Sequence, residues 1–152
     1  MLSLRLVRLL DTHAAQLGDA LFATILESQE CSDMRKVSRD RLELRSREIY
    51  RNLGDWLKSG TEWEIAERYV ALGRERASQG VALSHFIWAI GATKKTLFDF
   101  LEREGLADNP IELQASLELL KLLDRFFDRA VYHASVGYER FHARPLSSID
   151  AA

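Results

Sequence analysis

Four histidines, one cysteine and a scatter of acids on helical patterns are what this chain has to do chemistry with. The histidines stand at positions 13, 85, 133 and 142. No two of them are three or four apart, the spacing that puts two ligands on one helix face, so a metal held by a helical histidine pair is not expected. Glu139 and His142 form one E-x-x-H. A di-iron carboxylate bundle needs two such pairs and two further glutamates, which makes a metal-dependent helical-bundle enzyme the weakest reading. His85 and His133 are the two candidates for an axial haem ligand in a helical pocket, although a lone histidine on a partly apolar face more often serves as a hydrogen-bonded boundary residue. Cys31, in the polar run ESQECSDM, has no basic neighbour to lower its pKa. There is no G-x-S-x-G elbow and no Gly-rich loop following a strand. The expectation is therefore no catalytic residue, no metal and no cofactor, and not an enzyme.

Charge points the same way. Net charge is −2 and the pI about 6.1, so no overall field draws the chain to nucleic acid or an anionic membrane. Between Arg35 and Arg51 seven basic residues face three acids. At 100° per residue they scatter round a helix, which reads as a solvated surface and leaves nucleic acid unexpected as a partner. The N-terminal run MLSLRLVRLL is broken by Arg5 and Arg8 and reads as a helix start. With a lone cysteine, no signal peptide and no long apolar run, a cytoplasmic protein is expected, with no membrane partner.

The elements that would position these residues are all helical. Leu83 to Leu101 reads as the central helix, with Leu83, Phe86, Ile87, Ile90, Lys94, Leu97, Phe98 and Leu101 on one face. Gly91 within it predicts close approach of another backbone. Helix one covers Leu2 to about Glu27, with Leu6, Leu10, Leu17, Leu21 and Ile25 on its stripe. Ser28 to Asp33 is a polar break, with Ser32 or Asp33 capping a second helix that runs to about Lys58. Gly60 stops it, and Thr61 and Glu64 have the spacing of a capping box for helix three. Ala66, Val70, Gly73 and Ala77 give helix three a strip of small residues suited to packing on the central helix. Gly80, in the turn that follows, predicts a positive φ or a crowding backbone. Arg74 and Arg76 point about 200° apart, so only one of them can serve that turn. Helix four ends at Gly105, and Asn109-Pro110 opens helix five, which is expected to reach Phe141.

Helix five carries two apolar seams. Leu113, Leu117, Leu120, Asp124, Phe127, Val131, Ala134 and Tyr138 make one, and Leu119, Leu123, Phe126, Ala130 and His133 the other. The second seam, with Leu4 and Val7 of helix one, is surplus apolar surface for one bundle and predicts a homodimer interface through Leu119, Leu123, Phe126, Ala130, Leu4 and Val7. Taken together the chain reads as an all-α, single-domain five-helix bundle, for which a globin-like arrangement is one option. Residues 1–142 form the bundle and residues 143–152 a flexible tail.

The run RYVALGRERASQGVALSHFIWAI resembles the N-terminal domain of the RsbT co-antagonist (RsbRD-type) proteins, a helical signalling domain also found fused to bacterial histidine kinases. The residues that carry the resemblance are Leu72, Gly73, Arg74, Arg76, Ala77, Gln79, Gly80, Leu83, Phe86, Ile87 and Ile90. It implies a bacterial cytoplasmic sensory or scaffold module whose signal passes to a phospho-acceptor or kinase domain. About ten residues follow helix five, so the expectation is a non-catalytic signal-transduction module with its output in trans, on a regulatory partner such as a kinase or an anti-sigma antagonist. A small-ligand or haem-binding sensor is the alternative.

Overall fold

Helix periodicity is realised almost throughout the computed structural model, which describes residues 2–104 and 110–151. Five α-helices are present: α1 Leu2–Glu27, α2 Arg39–Ser59, α3 Glu62–Ser78, α4 Leu83–Glu104 and α5 Pro110–Ala151. A 3₁₀ segment, Gln29–Lys36, joins α1 to α2. The fold is an all-α helical bundle, with no strand among the described residues. Gly105 and Asn109, the expected stop and cap, lie outside the described residues.

Small residues decide which helices touch. α1 and α2 lie antiparallel, Gly18 set so close to α2 that an added Cβ would stand 2.6 Å from the Arg47 Cα. Asp19 pairs with Arg47 and Asp11 with Lys58 along the same seam. α3 and α5 run in the same general direction and cross at two glycines. A Cβ on Gly73 would overlap the Ala134 carbonyl and stand 2.9 Å from the Tyr138 amide; one on Gly137 would stand 2.9 Å from the Val70 Cα. The small strip of α3 thus packs on α5, not on α4 as its composition suggested, because Ala130, Ala134 and Gly137 offer a matching strip there. Gly91 of α4 is exposed and has no neighbour within 4 Å. It marks no close approach.

α4 runs between these pairs. It buries Phe86, Ile90, Leu97, Phe100 and Leu101, and Lys94, the polar member of its face, pairs with Asp124, the polar member of the α5 seam. Two breaks in two apolar patterns are therefore one contact. The core also takes in Leu6, Leu10, Leu17, Leu21, Tyr50 and Leu123, each worth about 1.5–3 kcal/mol of burial for the aliphatic members.

Four expectations change. Helix two does not begin near Asp33: Cys31 leaves helical geometry at φ −131°, and α2 starts only after Ser38, whose hydroxyl accepts from the Arg41 amide at 3.4 Å. The break lets Cys31, Met34 and Val37 enter the core. Of the Thr61–Glu64 capping box the threonine half forms, Oγ1 accepting from the Glu64 amide at 3.3 Å. The stretch expected as a tail, residues 143–152, continues α5 as far as Ala151; Pro145 removes one helical donor without ending the helix. Finally, the expected dimer seam is internal. Leu119, Leu123, Phe126, Ala130 and Val7 are all buried within the chain, and of the six only Leu4 is exposed. The reason is α3: lying against α5, it brings Tyr69 to within 6.0 Å of Phe126, ring centroid to centroid, while Trp56 of α2 reaches the same ring at 4.9 Å.

Candidate functional site

The residues that carried the family resemblance converge on the junction of α3 and α4. α3 ends in a Schellman turn: the Val81 amide bonds to the Arg76 carbonyl and the Gly80 amide to Ala77, both at 3.1 Å. Gly80 has φ +74° and nothing but the Lys36 ammonium near its missing Cβ, at 4.0 Å. Backbone conformation, not crowding, is what requires glycine there.

Two other elements, the 3₁₀ segment and α5, clamp this turn. Lys36 donates to the Gly80 carbonyl at 2.8 Å, and the Tyr138 hydroxyl of α5 donates to the Val81 carbonyl at 2.6 Å. From the 3₁₀ segment, the Asp33 carboxylate accepts the Ala82 amide at 2.8 Å, while the Asp33 amide donates to His85 Nδ1 at 3.0 Å. Asp33 caps a helix, as its type and position suggested, but the helix is α4 and not its neighbour in sequence. The Ala82 amide, followed by Lys36 and His85, holds the Asp33 carboxyl below its ordinary pKa.

The two arginines of the turn separate as expected. Arg74 is exposed, whereas Arg76 is only 3% exposed and donates through Nη1 to the Gln79 side chain at 2.8 Å. It grips the turn through an amide side chain and not through backbone carbonyls. Beside it Glu75 is ringed by guanidinium groups, with Arg45 at 2.6 Å, Arg41 at 3.0 Å and Arg76 at 3.7 Å. Burial lowers the Arg76 pKa to about 10 against the support of Glu75. The Arg76 Nε has no acceptor. Arg45 and Arg76 also line two adjoining cavities between α2 and α3, where Ile49, Tyr69 and Leu72 complete the shared wall. Burial pushes the Tyr69 phenol up to about 12, so it stays neutral there.

The remaining candidates are placed elsewhere. His85 is engaged with Asp33, and His133 Nε2 lies 3.1 Å from Glu62 Oε1, an oxygen that also takes the Arg129 Nε at 2.6 Å. Those two contacts, His133 first, hold the Glu62 carboxyl below its usual range. Neither histidine lines either of the two cavities, so the haem reading gains no pocket from them. The Cys31 thiol is fully buried and donates to the Ile25 carbonyl at 3.5 Å; burial, then Glu30, pushes its pKa up. Leu83 begins α4 half-buried against the core. No group of three or more His, Cys, Asp or Glu side chains stands where it would hold a metal among the described residues, and no described helix is long and apolar enough to cross a membrane.

Four of the five arginines of α2 find partners within the chain, while Arg39, Arg41 and Arg51 stay exposed. Arg41 and Arg45 meet Glu75, Arg47 meets Asp19 and Glu43, and Arg39 lies 5.6 Å from the Phe22 ring. Arg35 caps α1 at the Leu26 carbonyl, 2.7 Å away. Sequence reasoning saw the excess charge without its partners, since Asp19 and Glu75 come from other helices.

No curated protein and no solved structure is detectably similar to the chain. A family model does match, over residues 11–152, and its span takes in the α3–α4 junction, the clamping Asp33, Lys36 and Tyr138, and the C-terminal turns of α5. The chain belongs to the family of the RsbT co-antagonist protein rsbRD N-terminal domain, a regulatory signalling family.

Proposed function

We propose that the chain is a non-catalytic signal-transduction module, sensory or scaffolding, that acts through protein–protein contacts in the bacterial cytoplasm and hands its output to a partner in trans. Membership of the rsbRD N-terminal family over residues 11–152 carries this reading. A kinase or an anti-sigma antagonist is the kind of regulatory partner it implies.

The proposal includes a homodimer through α5 with a contribution from α1. Its surface must be drawn from side chains that remain exposed: Leu4 of α1 and Leu117 and Leu122 of α5. A symmetric pair would bring the same patch from each copy together, and a partner that favours one packing over another would shift the populations. Size-exclusion with light scattering tests it. A dimeric mass that falls to monomer in Leu122→Glu is the expected result, and a wild-type mass near 17.4 kDa at micromolar concentration would sink the dimer.

A further inference from the structure

α2 and α3 follow one another in sequence yet their backbones are not packed together, and the two cavities between them, about 100 and 40 Å³, share a wall. The outer one is faced by Trp56, Ile65 and Phe126, the inner by Phe86, Ile90 and Phe127. Arg76 belongs to both walls. Its burial is nearly complete, its Nη1 is committed to Gln79, and its Nε–H is unpartnered. Glu75 stands 3.7 Å from Nη1 and is shared with Arg45 and Arg41; it offsets the charge of Arg76 and leaves the Nε–H without an acceptor. A buried N–H donor left without an acceptor is costly.

We propose that this cleft is a binding site for a small monocarboxylate with a compact apolar body. The carboxylate takes the free Nε edge of Arg76, in the side-on geometry that suits two parallel N–H···O bonds, and the hydrocarbon fills the cavities. Size sets the body: an apolar cavity of about 150 Å³ accepts a benzene ring. Charge sets the head: Glu48, Asp55 and Glu64 line the outer cavity together with Arg45 and Arg68 and offset them, which leaves the Arg76 edge as the place for one anionic group. The proposal does not depend on the dimer or on the partner in trans.

The test uses the whole chain with butyrate, hexanoate, octanoate and benzoate, each set against its alcohol (1-butanol, 1-hexanol, 1-octanol or benzyl alcohol). Calorimetry is read beside tryptophan fluorescence, since Trp56 lines the site. At least one acid should bind at least about tenfold tighter than its alcohol, the size expected of a charge-assisted hydrogen bond. Arg76→Gln should abolish that preference and keep the alcohol affinity, and Ile49→Phe, which narrows the cavity, should weaken acid and alcohol together. Should Arg76→Gln fail the circular dichroism check for folding, Arg76→Lys, which keeps the charge but not the fork, should lower the acid-to-alcohol ratio. The proposal is overturned by no acid binding up to about 10 mM, by equal affinity for acid and alcohol, by a preference that survives both Arg76 variants, or by binding indifferent to Ile49→Phe.

Discussion

Asp33 and His85, 52 residues apart, share a helix cap: the Asp33 amide donates to His85 Nδ1 at 3.0 Å while the Asp33 carboxylate accepts the Ala82 amide that precedes the first turn of α4. In a local capping box the third helical residue would reach back to that amide itself. Here His85 occupies the third position and gives up the amide to Asp33. The 3₁₀ segment and α4 therefore complete each other's backbone hydrogen bonding.

Acid should dismantle the Asp33 half of this arrangement. Its carboxyl is held below the ordinary value of 3.8, so its contribution is fully present above that value and is lost as pH falls through the folded one. In a His85→Gln background, which takes the imidazole away from the cap, the melting-temperature advantage of Asp33 over Asp33→Asn should be constant above about pH 5. It should shrink as pH falls from about 3.8 through the folded pKa and be gone below it. An advantage undiminished at the acid end would contradict the assignment.

At Gly80 the conformation alone is restrictive. Gly80→Ala should cost about 1–2 kcal/mol in urea denaturation, Gly80→Val more, and Gly80→Asn least, since asparagine tolerates the left-handed region. Equal costs for all three would point to sterics instead.

Glycines in helices should split by what stands opposite them. Gly73→Ala and Gly137→Ala force the α3 and α5 backbones apart, so each should cost about 3 kcal/mol or more. Gly91→Ala meets nothing and should stabilise by up to about 1 kcal/mol through helix propensity. Thermal unfolding of the three variants in parallel checks the order.

How far the sequence revealed this can be judged from the same residues. Periodicity found every α-helix and Gly80 announced the α3–α4 turn, because both signals are local. What failed was pairing. The strip Ala66, Val70, Gly73, Ala77 says that something approaches closely, and only the matching Ala130, Ala134, Gly137 on α5 says what. The late start of α2 was hidden too: Cys31 breaks helical geometry inside the 3₁₀ segment, and Cys31, Met34 and Val37 fill core positions that polar neighbours did not announce. Of the candidate site, Arg76 was visible as one of two alternatives at the turn, but its free Nε and the cleft beside it depend on α2 and on Phe126 and Phe127 of α5, which no local pattern brings together.

Neighbouring leucines on α5 should behave oppositely. Leu123 is fully buried and Leu122 is 38% exposed. Leu123→Glu places a charge in the core and should abolish cooperative unfolding, whereas Leu122→Glu should keep far-UV helicity. Comparable spectra for the two would mean that the inner seam of α5 is misassigned.

Arg74 and Arg76 should differ just as sharply. Arg74→Ala should stay within about 0.5 kcal/mol of wild type, and Arg76→Ala should lose roughly 3 kcal/mol or more by abandoning Gln79 and removing a buried side chain from the wall of both cavities. Equal losses in chemical denaturation would remove Arg76 from its buried role.

The double-glycine crossing of α3 and α5 also has a mechanical side. Where backbones meet without intervening side chains, separation is blocked by lost contact and approach by overlap, which leaves rotation about the crossing as the soft coordinate. Gly137 then acts as a fulcrum on a long lever. The arm toward Pro110 measures about 40 Å and the arm toward Ala151 about 20 Å at 1.5 Å per residue, so a tilt of about 10° swings the two ends by roughly 7 and 3.5 Å in opposite senses. Phe126 lies on the longer arm, against Trp56 and Tyr69 in the wall of the cleft. A displacement there, about 16 Å from the fulcrum, is reversed in direction and slightly enlarged at the Ala151 end.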